Sequence, residues 1–186
     1  MPLSQPAPRE PLHVRRIECQ GFRRADGLWD IEGHLVDTKT YAFSNQDRGE
    51  ITPGMALHEM WIRLTLDDRM TVKAVEAVTD AGPFHICGDI APAFKKLEGL
   101  TIGPGWKKHV KELLGGTQGC THIVELLDPV ATTAFQTMFS RRERERRAET
   151  DEGKRKTRPR IIDSCHALSA NGPVVKREWP DFYTGR

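Results

Sequence analysis

The chain is short of cysteine, of aromatic residues and of long apolar runs, and its charges nearly cancel. Four cysteines in 186 residues, at positions 19, 87, 120 and 165, are too few and too irregularly spaced for a disulfide scaffold, so reduced thiols are expected. No apolar stretch approaches the roughly 18 residues that a membrane span needs. The Pro-rich, polar leader from Met1 to Pro11 also lacks a signal-peptide core, so the expectation is a soluble, cytoplasmic protein with no membrane partner. With 28 Lys and Arg against 26 Asp and Glu the net charge is only +2, while 38% hydrophobic and 29% charged residues fit one globular core and exclude collagenous or disordered classes. The basic excess is local: residues 141–160 hold ten Lys or Arg and five Asp or Glu, which leaves the rest of the chain at −3. Interleaved acids and the lack of aromatics there argue for a solvated face and against nucleic acid. Neither Gly103-Pro104-Gly105-Trp106 nor Gly115-Gly116 follows a strand or ends in Gly-Lys-Ser/Thr, so nucleotide binding has no support.

Two alternating segments, Leu12 to Arg24 and Leu28 to Phe43, flank Ala25-Asp26-Gly27 and predict a hairpin. A polar loop, 44–55, leads to Leu57–Leu66, where Met60, Ile62, Leu64 and Leu66 share one face and His58 has the same parity. Asp67-Asp68-Arg69 turns the chain into a fourth strand, Met70 to Val78. Spacing then becomes helical: Ile90, Phe94 and Leu97, followed by Trp106, Val110, Leu113 and Leu114 after a Gly-Pro-Gly break. A third helical run starts after Gly119 and continues to about Arg147, with a kink or restart expected at Pro129, which cannot donate to the Glu125 carbonyl. The tail from Ile161 reads as a short hairpin turning at Asn171-Gly172. The prediction is an α+β fold: an antiparallel β-sheet of about four strands, then three helices, then a C-terminal β element. Its organisation is a flexible leader 1–11, a core domain 12–139, a charged helical extension or arm 140–160, and a C-terminal hairpin 161–186 packing on the core.

The chemistry concentrates in GGTQGCTHIVELL, where Cys120 and His122 stand at the start of a helix. A helix N-terminus favours thiolate over thiol, so Cys120 suits a ligand or nucleophile, against the plainer alternative of a small buried cysteine and a capping histidine. Cys87 ends the fourth strand in PFHICGD, and His58 begins the third. Histidine and cysteines from separate elements suit Zn, Fe or an iron–sulfur cluster, with His122, Asp89 or Glu125 as a fourth group. His13, His34 and His109 are weaker candidates; His85 is adjacent to the site. Asp163-Ser164-Cys165-His166 could serve as a substrate wall but is better read as a turn, and Arg23, Arg24, Asp26 and Trp29 as a solvated turn rather than an anion site.

PFHICGD before the first helix and GCTHIVELL opening a late one, with HEMWIRLTLDDRMTV over a second hairpin, resemble the IscU/NifU-like iron–sulfur scaffold fold across residues 55–138. The resemblance implies metal-site roles for His58, at an aspartate position of that family, and for Cys87 and Cys120, at cysteine positions. Its earliest cysteine falls on Ala56, and the histidine before its last cysteine falls on Gly119, with His122 as a substitute. The strings RRADGLWDIEGHL, HEMWIRL and GCTHIVELL are also similar to an uncharacterised bacterial domain family, which implies no activity.

The function expected is a metal-binding, IscU-like enzyme: one divalent metal (Zn or Fe) on His58, Cys87, Cys120 and His122, with His122 and Glu125 in catalytic roles. It would perform lyase or hydrolase chemistry, such as a retro-aldol cleavage, on a small organic substrate, with four tryptophans hinting at an aromatic one. The alternatives are an iron–sulfur cluster scaffold or carrier, a structural-zinc binding module, and a metal-free enzyme pairing Cys120 with His122. A homo-oligomer is a further possible partner state.

Overall fold

The computed structural model describes residues 3–150, 157–159 and 161–185, with side chains described outside 140–150. The chain divides into two compact units, Met1–Ser140 and Arg141–Arg186.

In the first unit, four long strands, β1 (His13–Arg23), β2 (Trp29–Lys39), β5 (Ala56–Leu66) and β6 (Val72–Ala81), form one antiparallel sheet in the order β1-β2-β5-β6. Two three-residue strands, β3 (Phe43–Asn45) and β4 (Gly49–Ile51), make a separate small hairpin inside the expected polar loop. The first turn forms as its sequence predicts. Arg24 N–H donates to Leu28 O at 2.9 Å and Gly27 N–H to Arg24 O at 3.3 Å, with Gly27 taking the left-handed conformation (φ 91°) that an Asp-Gly hairpin turn demands. At the β5–β6 turn Asp67 accepts from Arg69 N–H and Thr71 N–H, and Met70, although not glycine, holds φ 65° because its side chain is buried.

One face of the sheet is covered. Period-two alternation sends Trp29, Ile31 and Leu35 of β2 and Met60, Ile62, Leu64 and Leu66 of β5 into the core. Against them pack Phe94 and Leu97 from a 3₁₀ stretch (His85–Leu97), then α1 (Trp106–Leu114) through Trp106, Val110 and Leu114, and α2 (Thr121–Thr150) through Ile123, Leu126, Leu127, Val130, Ala134 and Met138. The predicted first helix is thus 3₁₀ rather than α, with Pro92 inside it. The predicted restart at Pro129 does not occur: α2 runs through it as one helix.

Glycines at two sheet positions set the height of α2. A Cβ at Gly33 would lie 2.7 Å from Val130 Cγ2, and one at Gly21 would lie 2.0 Å from Thr137 Oγ1. The helix therefore sits directly on the β1–β2 pair, closer than any side chain at these places would allow.

In the second unit the expected C-terminal β element is absent among the described residues. Two 3₁₀ turns (His166–Leu168 and Pro180–Phe182) and α3 (Pro173–Glu178) enclose a small cluster of Ile162, Ala170 and Val175, with Trp179 and Phe182 packed on it. Asn171-Gly172 does not close a hairpin; it leads into α3, with Pro173 in the first turn where a missing N–H costs nothing. Of the predicted charged arm, α2 carries the backbone to Thr150, while 151–156 and Arg160 lie outside the described residues.

Candidate metal centre

The site is assembled by strand register. Pairing of β1 with β2 puts Arg15 opposite Asp37, and pairing of β2 with β5 puts Asp37 opposite His58. All three point to the helix-covered face, since Asp37 continues the row Trp29, Ile31, Gly33, Leu35 and His58 continues the row of Met60 and Ile62. The seating of α2 on Gly21 and Gly33 then lowers its first turn, and with it His122, onto the same spot.

Asp37 is the centre of this arrangement and is 0% exposed. Arg15 grips it with both ends of its fork, Nε–H to Oδ1 at 2.8 Å and Nη2–H to Oδ2 at 2.7 Å. His58 Nδ1 lies 3.1 Å from Oδ2, His13 Nε2 3.1 Å from Oδ1, and His122 Nε2 3.8 Å from Oδ2. The His58 and His122 rings stack with centroids 3.8 Å apart. Arg15 also pairs through Nη1 with Glu125 Oε2 at the solvent side, where Glu125 is half exposed.

The electrostatics follow from burial and from this one carboxylate. Burial alone would raise the Asp37 pKa, but hydrogen bonds and charge from Arg15 outweigh it and hold the carboxyl below its ordinary range. The Asp37 hydrogen bond in turn raises the Arg15 pKa. Burial lowers the pKa of both His58 and His122, reinforced for His58 by the charge of His122 and for His122 by that of Arg15. Two neutral imidazoles and an ionised carboxylate are the protonation states a metal ion requires.

Asp37, His58 and His122 each offer a ligand atom within 4.8 Å of the others, so this buried group could hold a metal ion. It is the one such group among the described residues. Of the predicted ligands, His58 and His122 meet there, and Cys120 stands beside them with Sγ 3.9 Å from His122 Nδ1. Cys120 ends the approach to α2, its carbonyl accepting from Val124 N–H at 2.9 Å. Cys87 is outside the group: it lies in the 3₁₀ stretch against Gly82, whose Cβ, if present, would be 2.7 Å from Cys87 Cβ. Asp89 is exposed on that same stretch.

Asp37 and Arg15 are not among the residues expected from the sequence, and His13 is there only as one of the weaker histidines. The signal for Asp37 was present, a carboxylate continuing the apolar row of β2. His34 goes to the open face of the sheet, stacked on Trp61 at 3.5 Å and bonded to Glu59, and His109 is exposed on α1. His85 N–H donates to Asp47. Two shallow depressions of about 260 Å³, lined by residues including Glu32 and Trp61, also lie on the open face, away from Asp37. The tryptophans do not build an aromatic pocket at the centre: Trp29 and Trp106 belong to the core, Trp61 to the open face, and Trp179 to the cluster of the second unit. Arg24 forks Asp26, and Arg23 lies over Trp29, as a turn would have them. Asp163 accepts from Ala170 N–H and pairs with Arg158, which makes that segment a turn.

A family profile described as protein of unknown function (DUF2889) matches residues 13–136, from the start of β1 into α2. The chain belongs to the DUF2889 family. The matched span contains every residue of the centre, His13, Arg15, Asp37, His58, Cys120, His122 and Glu125, and stops short of the charged stretch and the second unit. No curated protein and no solved structure matches the chain. None of these matches shows the likeness to the iron–sulfur scaffold fold. A Cβ at Gly119 would lie 2.4 Å from the Leu114 carbonyl oxygen.

Proposed function

We propose that this chain is a metal-dependent enzyme, a lyase or hydrolase of small organic molecules, in which Asp37, His58 and His122 hold one divalent ion. The observation that supports it is Asp37: a fully buried carboxylate in an apolar strand row, gathered with two imidazoles that burial keeps neutral. A carboxylate with two imidazoles is a ligand set for Zn or Fe(II), whereas iron–sulfur clusters take chiefly thiolates. Three protein ligands leave coordination positions open, which favours catalysis over the closed four-ligand shell of a structural zinc. Bound there, the ion would supply Lewis-acid polarisation of a substrate oxygen or activation of a water.

The remaining groups have definable tasks. Cys120 Sγ touches the nitrogen of His122 that faces away from Asp37, and so orients the ring. Arg15, whose fork holds Asp37, would supply a positive charge for a substrate oxyanion where a bound ion shares the Asp37 carboxylate. Glu125, exposed beside Arg15, accepts a proton. In a retro-aldol cleavage, Glu125 would take the hydroxyl proton, that oxygen would form a new carbonyl as the carbon–carbon bond breaks, and the released electron pair would pass into the substrate's other carbonyl as an enolate.

The test is elemental analysis of anaerobically purified protein and of single variants. One metal per chain is expected, lost in Asp37→Ala, His58→Ala and His122→Ala and kept in Cys87→Ala. A metal-free parent protein would sink this reading and leave the Cys120–His122 pair as the chemistry to pursue.

A further inference from the structure

Strand β1 is a long open border. It has eleven residues with no bulge and no proline, and among the described residues no strand pairs with its outer side. The opposite border is guarded: β6 breaks register twice against β5, and segment 99–102 bonds across it, with Val72 N–H donating to Leu100 O and Gly99 N–H to Val72 O, both at 2.8 Å. An unpaired border of this length, without bulge or proline, is a template for another strand.

The hairpin decides which groups of β1 are free. Because Arg24 N–H bonds to Leu28 O, antiparallel alternation turns the backbone groups of even-numbered β1 residues toward β2. Those of Arg15, Ile17, Cys19 and Gly21 point outward.

We propose that β1 pairs antiparallel with β1 of a second copy of this chain, about a two-fold axis through Ile17, joining the two sheets into one. In this register the outward-pointing residues face one another and form the hydrogen-bonded pairs: Ile17 faces itself, and Arg15 faces the partner's Cys19. On the open face Arg16 meets the partner's Glu18 on both sides of the axis, and Leu12 meets the partner's Phe22. Leu12, Ile17 and Phe22 are 53%, 43% and 43% exposed, unusual for large apolar side chains, and this single register covers all three. Moving each strand by one residue would set Arg16 on Arg16 or Glu18 on Glu18, like charges directly opposed. The α2 row that contains Glu125 continues through Pro129, Thr132 and Gln136, all short or flexible side chains. The interface is isologous, as a closed dimer requires, and it runs beside Arg15 and therefore beside the mouth of each metal centre.

Light scattering on the full-length chain tests this. The expected mass is twice 21.0 kDa, falling to 21.0 kDa in Glu18→Arg and returning in the double variant Arg16→Glu/Glu18→Arg. Circular dichroism verifies that each variant is folded. Amide exchange gives an independent reading: the Ile17 and Cys19 N–H groups are protected in the parent protein and exchange freely in Glu18→Arg. A parent that is monomeric up to millimolar concentration, a dimer indifferent to Glu18→Arg, or a double variant that stays monomeric would overturn the proposal.

Discussion

Asp37 carries more of the site than any other single residue, because four side chains are oriented by its two oxygens. Replacing it with alanine leaves Arg15 with Glu125 alone and three imidazoles without their shared carboxylate. Breaking a buried ion pair from one side costs about 3–5 kcal/mol when the charge left behind is buried and unpaired; because Arg15 is 34% exposed and keeps Glu125, a smaller loss of about 1–3 kcal/mol is expected from urea denaturation of Asp37→Ala. A change below about 1 kcal/mol, the worth of an exposed pair, would show that Arg15 and Asp37 are bound only at the surface. The histidines give the site a pH signature as well. Their pKa values are lowered from 6.5 by burial, so as pH falls the unfolded chain takes up these protons first. Metal-free protein is therefore fully stable above about pH 6.5, loses stability as the pH drops from there toward the native pKa values, and loses no more through these groups below them. Asp37 adds a second loss in stronger acid: its lowered pKa contributes stability above about pH 4 that vanishes as pH falls through its native value. Thermal melts of chelator-treated protein at pH 8, 6, 5 and 4 check this. A melting temperature that is flat from pH 8 to 5 would contradict neutral, buried histidines.

At the scale of elements, α2 matters through its distance from the sheet. Gly33→Ala places a methyl group 2.7 Å from Val130 Cγ2, so the helix must lift or the strand must shift. Overpacking of this kind costs about 1–3 kcal/mol, roughly 2–10 °C in melting temperature for a chain of this size, and lifting α2 moves His122 away from Asp37. The same variant should therefore bind zinc more weakly, which titration calorimetry would register; unchanged affinity would mean that the helix is positioned from elsewhere. The elements themselves were largely legible in the sequence, since Asp-Gly turns, strict alternation in β2 and β5 and the Trp106/Val110/Leu114 spacing each have one structural solution. The C-terminal segment was not, because Asn-Gly suits a hairpin and a helix entry alike, and only Pro173 distinguishes them. His58 was read from its parity. Asp37 has the same parity evidence, but its meaning depends on the β2–β5 register and on how closely α2 seats on the sheet, and no local pattern encodes either. Cys87 was singled out for its residue type at a strand end, and the 3₁₀ turn carries it toward Gly82 instead.

For the whole molecule, metal binding and stability are linked by mass action. Zinc at about 100 times its dissociation constant should add about 2.7 kcal/mol, roughly 5–10 °C in melting temperature for a chain of this size. Differential scanning fluorimetry after dialysis against chelator measures the shift, which should be absent in His122→Ala. No helix among the described residues is long and apolar enough to cross a membrane. The sheet has one face packed and one open, and the candidate metal ligands Asp37, His58 and His122 lie on the packed face.

The grip of Arg15 on Asp37 bears on how the protein comes into being. A zinc finger waits for its ion before it can fold, because its ligands have nothing else to hold them together. Here the Arg15 guanidinium already neutralises the Asp37 carboxylate within the fold, so the proposed site needs no ion to be electrically satisfied. On the proposed function, metal loading would follow folding rather than drive it.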